Sequence, residues 1–326
     1  MKISKIPFIT YLLRFIDDAR VFAARAFFSG DNGKMIVITG APRSGTTWFG
    51  EMLNSNRVRV YHEPFIRSTL LWNWNLKIHD DAPADLNTFQ HLLSRIISGK
   101  EWKTFVKFKS EGYFRNPIKF SLFNLFGVKS GRAIVKDPGL CYLMDIFESL
   151  VDCEVILIFR NPLSIVSSLK RLNWLPNERI KIIYNHPYFA KYNLRQKFDY
   201  LFENMENYSL IEKLALQTGI LHYIMMDYSK RSRLAKVYFY EELAENPLNS
   251  FKKIFEELNL RYDKINSHNH ASLSMNSNTK HFKNAHVVKR SSLEFKDVWT
   301  KRLTVDEVQR IMTIYNSFDL GIYKNF

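Results

Sequence analysis

The chain of 326 residues carries 47 lysines and arginines against 32 aspartates and glutamates, which gives a net charge of +15. This balance indicates an anionic ligand or an anionic surface as partner, and the absence of a nucleic-acid-binding motif argues against nucleic acid in that role. The two cysteines, Cys141 and Cys153, exclude a disulfide framework and indicate a reducing compartment. With no internal repeat or linker-like stretch, residues 1–326 are predicted to form one domain.

Residues 1–30 are predicted to form an amphipathic helical segment, because apolar residues recur in it at helical spacing. Charged residues such as Arg14 and Asp17 fall in the middle of this stretch, which excludes a signal peptide and a membrane span. Two interpretations stay open. Either the helix packs on the domain or on a second copy in a homodimer, which we favour, or residues 3–28 lie in the plane of a membrane surface. The expected location is the cytoplasm, with the inner membrane face as the alternative.

Residues 36–48 read IVITGAPRSGTTW, an apolar run followed by a glycine-containing turn and the start of a helix. The pattern predicts a strand at 35–39 and a loop whose backbone N–H groups, together with the helix N-terminus, hold an anion. Gly40 and Gly45 have the spacing of a nucleotide P-loop, but Thr46 stands where such a loop has its lysine. The loop is therefore expected to bind a phosphate-like group without the usual equipment for ATP and magnesium.

Two further strands are predicted at 58–61 and 132–136. The sequence HEPF follows the first of them, and the sequence KDP overlaps the end of the second. The interval of about 65–130 between them is long for a connection and rich in aromatic and basic residues. It is therefore predicted to be a helical insertion outside the sheet.

A continuous apolar run predicts a buried parallel strand at 154–159. Pro162 then suits the first turn of a helix, where a missing N–H costs nothing. This places Arg160 at the carboxyl end of the strand, where open α/β sheets bind ligands, and Ser168 eight residues further on in the helix. A guanidinium suits phosphate there, because it is permanently charged and can bond two oxygens at once.

The C-terminal half begins with a second predicted helical insertion, 172–230, and a strand at 235–240. An Asn-Pro turn, an amphipathic helix and a C-terminal helix around the sequence VWTKRLTVDEVQRI follow. Strands separated by helical or irregular stretches predict an α/β fold. The expected architecture is a P-loop-like three-layer fold with a central, mainly parallel sheet of about five strands flanked by helices.

Together these motifs resemble the sulfotransferases, and the resemblance extends from residue 36 to about 315. The hexapeptide 43–48 fits the family's 5′-phosphosulfate loop at every position, and Arg160 with Ser168 fits its 3′-phosphate pair. The resemblance implies that these residues bind 3′-phosphoadenosine 5′-phosphosulfate (PAPS) and that the aromatic at 48 stacks on adenine. The cofactor-binding residues that it implies are Arg43, Ser44, Gly45, Thr46, Thr47, Trp48, Arg160, Ser168, Tyr240, Lys289 and Arg290.

For three of these residues a second interpretation stays open. Tyr240 is either an adenine-side contact or a core tyrosine. Lys289 and Arg290 lie where cytosolic members of the family close an Arg-Lys-Gly loop on the 3′-phosphate, and this sequence departs from that pattern. They are either substitutes for that loop or a solvated basic run.

Sulfuryl transfer needs a base for the acceptor hydroxyl and positive charge near the leaving oxygen. The resemblance gives the second task to Arg43, with the N–H groups of the loop, and to Lys136. Cytosolic members carry a Lys-x-His base motif where this chain has KDP, so the histidine is missing. Glu63 is the preferred base, because bacterial and carbohydrate-acting members carry a glutamate near this point and desolvation can adapt a carboxylate to the task. His62 is the second candidate and Asp137 the third.

The resemblance thus implies a PAPS-dependent sulfotransferase that releases adenosine 3′,5′-bisphosphate (PAP). The sequence implies no metal, because it has no Cys/His cluster with the spacing of metal ligands. The segments HEPF, KDP and RNPLSIVSSLKRLNW are most similar to bacterial enzymes of surface-polysaccharide or glycolipid pathways. A sugar hydroxyl is therefore the expected acceptor, with the two insertions forming the acceptor side, and a lipid, a peptide tyrosine or a small alcohol are the alternatives. The rivals from other classes are a P-loop kinase, which Thr46 disfavours, and a non-catalytic nucleotide-binding protein, which has no use for Lys136 and Glu63.

Overall fold

A sheet of five strands forms the centre of the molecule. The computed structural model describes residues 34–54, 58–67, 90, 93–94, 132–185, 194–262 and 297–323. The strands are β1 Met35–Gly40, β2 Val58–His62, β3 Arg132–Lys136, β4 Cys153–Phe159 and β5 Ala235–Phe239. Each agrees with its predicted bounds to within one residue at either end, because continuous apolar runs bounded by polar residues are strong local signals for buried strands.

All the strands of this sheet are parallel, in the order β2-β3-β1-β4-β5. In the register of the central strand, Ile38 lies opposite Lys136 on β3 and opposite Ile156 on β4. From β1 the chain continues to β2 on one side of the sheet, whereas from β4 it continues to β5 on the other. The connections therefore diverge between β1 and β4, and in open α/β sheets such a switch point forms the ligand-binding crevice at the carboxyl ends of the strands.

Helices cover both faces of the sheet. The described helices are α1 Thr46–Leu53, α2 Pro64–Arg67, α3 Met144–Leu150, α4 Pro162–Arg171, α5 Asn177–Asn185, α6 Leu194–Glu203, α7 Leu210–Arg231, α8 Tyr240–Glu245, α9 Pro247–Glu257 and α10 Val305–Asn316. Ile36 and Ile38 point into a core shared with α1 and α9. Met35 and Val37 point into a larger core shared with α3, α4, α7 and α10. This alternation confirms the predicted three-layer α/β fold.

Several helices begin where the sequence carries a cap. Asn161 caps α4 through its side chain, and Pro162 occupies the first helical position. Asn246 caps α9 in the same way, and Thr304 with Glu307 forms a reciprocal capping box at the start of α10. Such caps satisfy N–H groups that have no partner within the helix, and they fix where the chain turns at the end of each strand or loop.

The two segments predicted as insertions differ in how much of them is described. The second, 172–230, contains α5, α6 and most of α7, and α7 packs against the central strands, α4 and α10. This long helix thus belongs to the helical layer that covers the sheet, as well as to the predicted insertion. The first, 65–130, lies outside the described residues except for 65–67, 90 and 93–94.

Candidate active site

The loop between β1 and α1 is packed tightly around its two glycines. A Cβ atom on Gly40 would lie 2.5 Å from the Ser44 hydroxyl oxygen and 2.6 Å from the carbonyl oxygen of Ile158. Gly45 has a φ of 97°, and a Cβ atom there would lie 2.5 Å from the ring of Tyr240. All three distances are shorter than van der Waals contact allows, so both positions require glycine.

The same loop has the features of an anion site. Its Arg43 adopts a φ of 74°, in the left-handed region, and such loop conformations turn successive N–H groups toward one point. The hydroxyl of Ser44 is fully buried and has no hydrogen-bond partner among the described residues. Because helix α1 follows directly, its first N–H groups and the positive end of its dipole face the same place.

Two motifs that are far apart in the sequence meet at this loop. The Arg43 side chain donates from Nε to the Ser168 hydroxyl on α4, at 3.1 Å. The Arg160 side chain, which follows β4, donates from Nη1 to the carbonyl oxygen of Arg43, at 3.0 Å. The predicted 5′-phosphosulfate loop and the predicted 3′-phosphate pair therefore form one site at the switch point between β1 and β4. The Arg43 guanidinium contacts Ser168, although the sequence predicts a role for it beside the leaving oxygen.

The ring of Tyr240 lies beneath the loop, at the start of α8. The ring is 5% exposed, and the guanidinium carbon of Arg160 lies 4.3 Å from its centroid. Burial raises the pKa of Tyr240. Trp48 packs edge-on against it, with centroids 5.3 Å apart, and against Phe251. This environment favours the second interpretation of Tyr240, a core residue that supports the loop and Arg160. Stacking of the half-buried Trp48 on adenine stays a prediction.

A small cleft opens beside Arg160 and is lined chiefly by basic and hydroxyl side chains. On the sheet side its lining residues are Arg43, Arg160, Arg171, Ser164, Ser167 and Ser168. The described residues that line it include no carboxylate. A cleft with this lining is suited to an anion, because guanidinium and hydroxyl groups are donors to phosphate oxygens.

The opposite wall comes from the C-terminal part of the chain. Val298, Trp299 and Arg302 line the cleft from a short 3-10 helix, Val298–Lys301, and the residue that follows it. The sequence did not point to them as site residues. The available signal was the basic run just before the capping box of α10, which by itself does not indicate where the chain packs.

A partly buried ion pair lies at the carboxyl ends of β2 and β3. The Lys136 ammonium nitrogen is 2.5 Å from a carboxylate oxygen of Glu63. The Lys136 side chain is 2% exposed, whereas that of Glu63 is 19% exposed and reaches the surface. The pair of side chains that the sequence predicts for catalysis is thus in direct contact. Glu63 directly follows β2 and has a φ of 53°, and its N–H donates to the carbonyl oxygen of Lys136 at 2.6 Å.

The other two base candidates lie deeper. The His62 side chain is 4% exposed, and its Nε2 lies 2.9 Å from a carboxylate oxygen of Glu51 on α1. Burial lowers the pKa of His62, although Glu51 acts in the opposite direction. Asp137 is fully buried, and its two carboxylate oxygens accept hydrogen bonds from the N–H groups of Phe65 and Gly139 at 3.0 and 2.9 Å. Asp137 therefore holds the turn after β3.

Some predicted features lie outside the described residues, namely Lys289, Arg290 and the N-terminal segment 3–28. In the part of the chain that the structure describes, no three His, Cys, Asp or Glu side chains are grouped as a metal site requires. None of the described helices is both long and apolar enough to cross a membrane.

Comparison with known proteins identifies the family to which the chain belongs. A profile of the Sulfotransferase family matches residues 35–264, whereas no curated protein matches the chain at a significant level. Among solved structures, the chain is similar to the sulfotransferase domain from the Synechococcus PCC 7002 olefin synthase, at 16% identity and a TM-score of 0.43, over 87% of this chain and 96% of that one. It is also similar to sulfotransferase STF9 from Mycobacterium avium, at 15% identity and a TM-score of 0.42, over 91% of this chain and 80% of that one. Similarity to mouse sulfotransferase SULT7A1 complexed with PAP is at 13% identity and a TM-score of 0.37, over 95% of this chain and 95% of that one. Because the profile covers more than half of its length, the chain belongs to the sulfotransferase family and is a PAPS-dependent sulfotransferase.

Proposed function

We propose that this enzyme transfers the sulfuryl group of PAPS to a hydroxyl group of a sugar, with Glu63 as the general base. The observation that carries the proposal is the ion pair of Glu63 with Lys136. It lies at the same edge of the sheet as the loop after β1, because Lys136 pairs in register with Ile38 of that strand. A base and a cation for the leaving oxygen thus stand together beside an anion-binding loop.

The described residues fit PAPS, which carries anionic groups on its 5′ and 3′ positions. The loop around the buried Ser44 hydroxyl fits the 5′-phosphosulfate. The cleft with Arg160 and Ser168 fits the 3′-phosphate, and the hydrogen bond from Arg160 to the loop holds the two places next to each other. When bound, PAPS supplies an activated sulfuryl group whose leaving group is the 5′-phosphate.

Exposure and position favour Glu63 as the base. Its side chain is 19% exposed, so an acceptor hydroxyl can reach the carboxylate, and it contacts the ammonium group of Lys136. His62 and Asp137 are buried and engaged by Glu51 and by backbone N–H groups. In the proposed reaction Glu63 takes the proton of the acceptor hydroxyl as the new oxygen–sulfur bond forms. Lys136 neutralises the charge that develops on the leaving oxygen as the old bond breaks.

A sugar is the proposed acceptor because the segments around 60–65, 136–138 and 160–174 resemble those of bacterial polysaccharide and glycolipid enzymes. The net charge of +15 is consistent with an already anionic glycan. Transfer from labelled PAPS to a panel of anionic and neutral polysaccharides, glycolipids, phenols and small alcohols tests the acceptor class. Modification of phenols or simple alcohols alone would contradict a sugar acceptor and leave the PAPS chemistry intact.

The change Glu63→Gln tests the base. We expect turnover to fall by about 100-fold or more, the usual contribution of a general base, while the affinity for PAP stays nearly unchanged. A matched control is Glu154→Gln. This glutamate is also ion-paired, with Arg132 and Lys236, but lies at the amino end of β4, so turnover should persist. Full activity in the Glu63→Gln variant would exclude Glu63 as the base.

A further inference from the structure

Glu241, the second residue of α8, accepts hydrogen bonds from two distant parts of the chain. Its Oε1 accepts the backbone N–H of Asn161 at 2.9 Å, and its Oε2 accepts the hydroxyl of Tyr323 at 2.8 Å. Sequence patterns assigned no task to this glutamate. The half-buried carboxylate therefore connects the turn after β4 with the segment that follows α10.

The bond to Asn161 lies just beyond the point where the pairing of β4 with β5 ends. The last pair of that ladder is Phe159 opposite Phe239. Two residues further along, the Glu241 side chain accepts the Asn161 N–H in place of a backbone carbonyl. The side chain of Asn161 already caps α4 through the N–H of Leu163. Backbone and side chain of Asn161 are thus both held, which fixes the turn between β4 and α4.

The first two residues of α8 hold two consecutive residues of this turn. The Tyr240 ring lies 4.3 Å from the guanidinium carbon of Arg160, and Glu241 holds the N–H of Asn161. Arg160 in turn donates to the carbonyl oxygen of Arg43 in the loop after β1. A shift of the turn would therefore move Arg160 relative to that loop.

Tyr323 is held in place as the donor to this carboxylate. Its ring packs edge-on against Phe239, with centroids 6.0 Å apart. Burial and the Glu241 carboxylate raise the pKa of Tyr323, so the hydroxyl keeps its proton at neutral pH. Earlier in the same segment, Phe318 is fully buried, and a Cβ atom on Gly219 of α7 would lie 2.3 Å from its ring. The segment after α10 is thus anchored in the core as well as by its bond to Glu241.

We propose that Glu241 is a positioning residue for the nucleotide site, which acts through Arg160 and is itself held in place by Tyr323. Its carboxylate fixes the turn that carries Arg160, so the guanidinium is in position before the nucleotide binds. A donor that is already ordered loses less freedom on binding than a mobile one, and the difference appears as affinity. This inference rests on the proposed role of Arg160 in binding PAPS.

The test is a set of calorimetric titrations with PAP. Glu241→Ala, Glu241→Gln and Tyr323→Phe alter the network. Arg160→Ala is made alone and together with Glu241→Ala, which shows whether the two residues act independently. A thermal melt of each variant shows that it is folded.

Two further variants are matched controls. Glu242→Ala removes the exposed acidic neighbour of Glu241 on the same helix. Tyr228→Phe removes another tyrosine hydroxyl that donates to a carboxylate, that of Glu148 on α3, at 2.8 Å. Both controls should bind PAP as the wild type does.

Glu241→Ala should weaken PAP binding by about 10-fold, the order expected when a hydrogen bond to a charged group is lost, and Tyr323→Phe should weaken it by a smaller factor. Glu241→Gln should recover most of the affinity, because its side-chain carbonyl oxygen can still accept the N–H of Asn161. The double variant should lose no more affinity than Arg160→Ala alone, because Glu241 acts through that arginine.

A PAP affinity of Glu241→Ala equal to that of Glu242→Ala, or full additivity in the double variant, would overturn the role of Glu241 and leave the proposed function standing. Should Glu241→Ala not fold, Tyr323→Phe decides, and an affinity equal to that of Tyr228→Phe would overturn the inference. Unchanged PAP binding by Arg160→Ala would instead contradict the proposed function, which assigns Arg160 to the nucleotide.

Discussion

The ring of Tyr240 occupies the space that a side chain at position 45 would need. The φ of 97° at Gly45 is one that side chains disfavour, and the ring lies 2.5 Å from where a Cβ atom would be. Tyr240 in turn supports Arg160 from below. A change at this glycine therefore disturbs both the loop and the arginine that lines the cleft.

Gly45→Ala should lower the free energy of unfolding by about 1–3 kcal/mol, the usual cost of a strained backbone position, and should weaken PAP binding. The matched control is Gly50→Ala in α1, where a Cβ atom would make ordinary contacts at 3.7 Å. That change should stabilise the protein by about 0.4–1 kcal/mol, because alanine restricts the unfolded chain. Urea unfolding and calorimetric titration measure both effects, and equal stability of the two variants would contradict this account of Gly45.

At the scale of elements, the first turn of α10 carries a carboxylate with two tasks. Glu307 accepts the N–H of Thr304 at 3.0 Å in the capping box and also pairs with Lys170 on α4. These bonds, that to Lys170 foremost, hold the pKa of Glu307 below its ordinary value. Glu307 therefore contributes both to the start of this helix and to its attachment to the cleft wall.

Thr304→Ala and Glu307→Ala should each cost about 1 kcal/mol of stability, as the loss of a cap usually does. Their effects should be less than additive, because the two bonds of a capping box are reciprocal. Lys170→Ala, at the half-exposed end of the ion pair, should cost less than about 1 kcal/mol. Chemical denaturation of the single and double variants measures these values, and strict additivity would argue against the capping box.

The elements also show what sequence patterns can and cannot predict. The strands and helix starts were predictable, because an apolar run such as 154–159 or an Asn-Pro pair acts locally. The contact between Glu63 and Lys136 needed the strand order, since only the pairing of β2 with β3 brings their ends together. Arg302 was missed because nothing local to a basic residue indicates which distant wall the chain returns to. The helical nature of 172–230 was predicted, but the packing of α7 in the helical layer that covers the sheet was not.

For the whole molecule, buried histidines make stability depend on pH. Burial lowers the pKa of His222 to about 3, and the ring is fully buried within hydrogen-bonding distance of Tyr315. In the unfolded chain the same histidine titrates near its ordinary pKa of 6.5. As the pH falls below that value, the unfolded state binds the proton first, so the folded state loses stability.

Between pH 6.5 and about 3, His222 should reduce the free energy of unfolding by up to about 1.4 kcal/mol per pH unit. Above pH 6.5 it should have no effect, because both states are then neutral at this position. His222→Gln should flatten the dependence in the acidic range, whatever its effect on stability at neutral pH. Urea unfolding at several pH values gives the slope of the free energy of unfolding against pH for the wild type and for the variant. Identical slopes would contradict a buried neutral histidine.

The ion pair of Lys136 and Glu63 also bears on the order of events in one turnover. While Glu63 is charged, it holds the ammonium group at 2.5 Å. If Glu63 is the base, the proton that it takes from the acceptor cancels this attraction and releases Lys136 just as charge grows on the departing oxygen. The ion pair then keeps Lys136 from acting on the leaving oxygen until an acceptor has bound, and this protects PAPS from hydrolysis. The Glu63→Gln variant gives the readout, because we expect hydrolysis of PAPS without acceptor to rise relative to transfer.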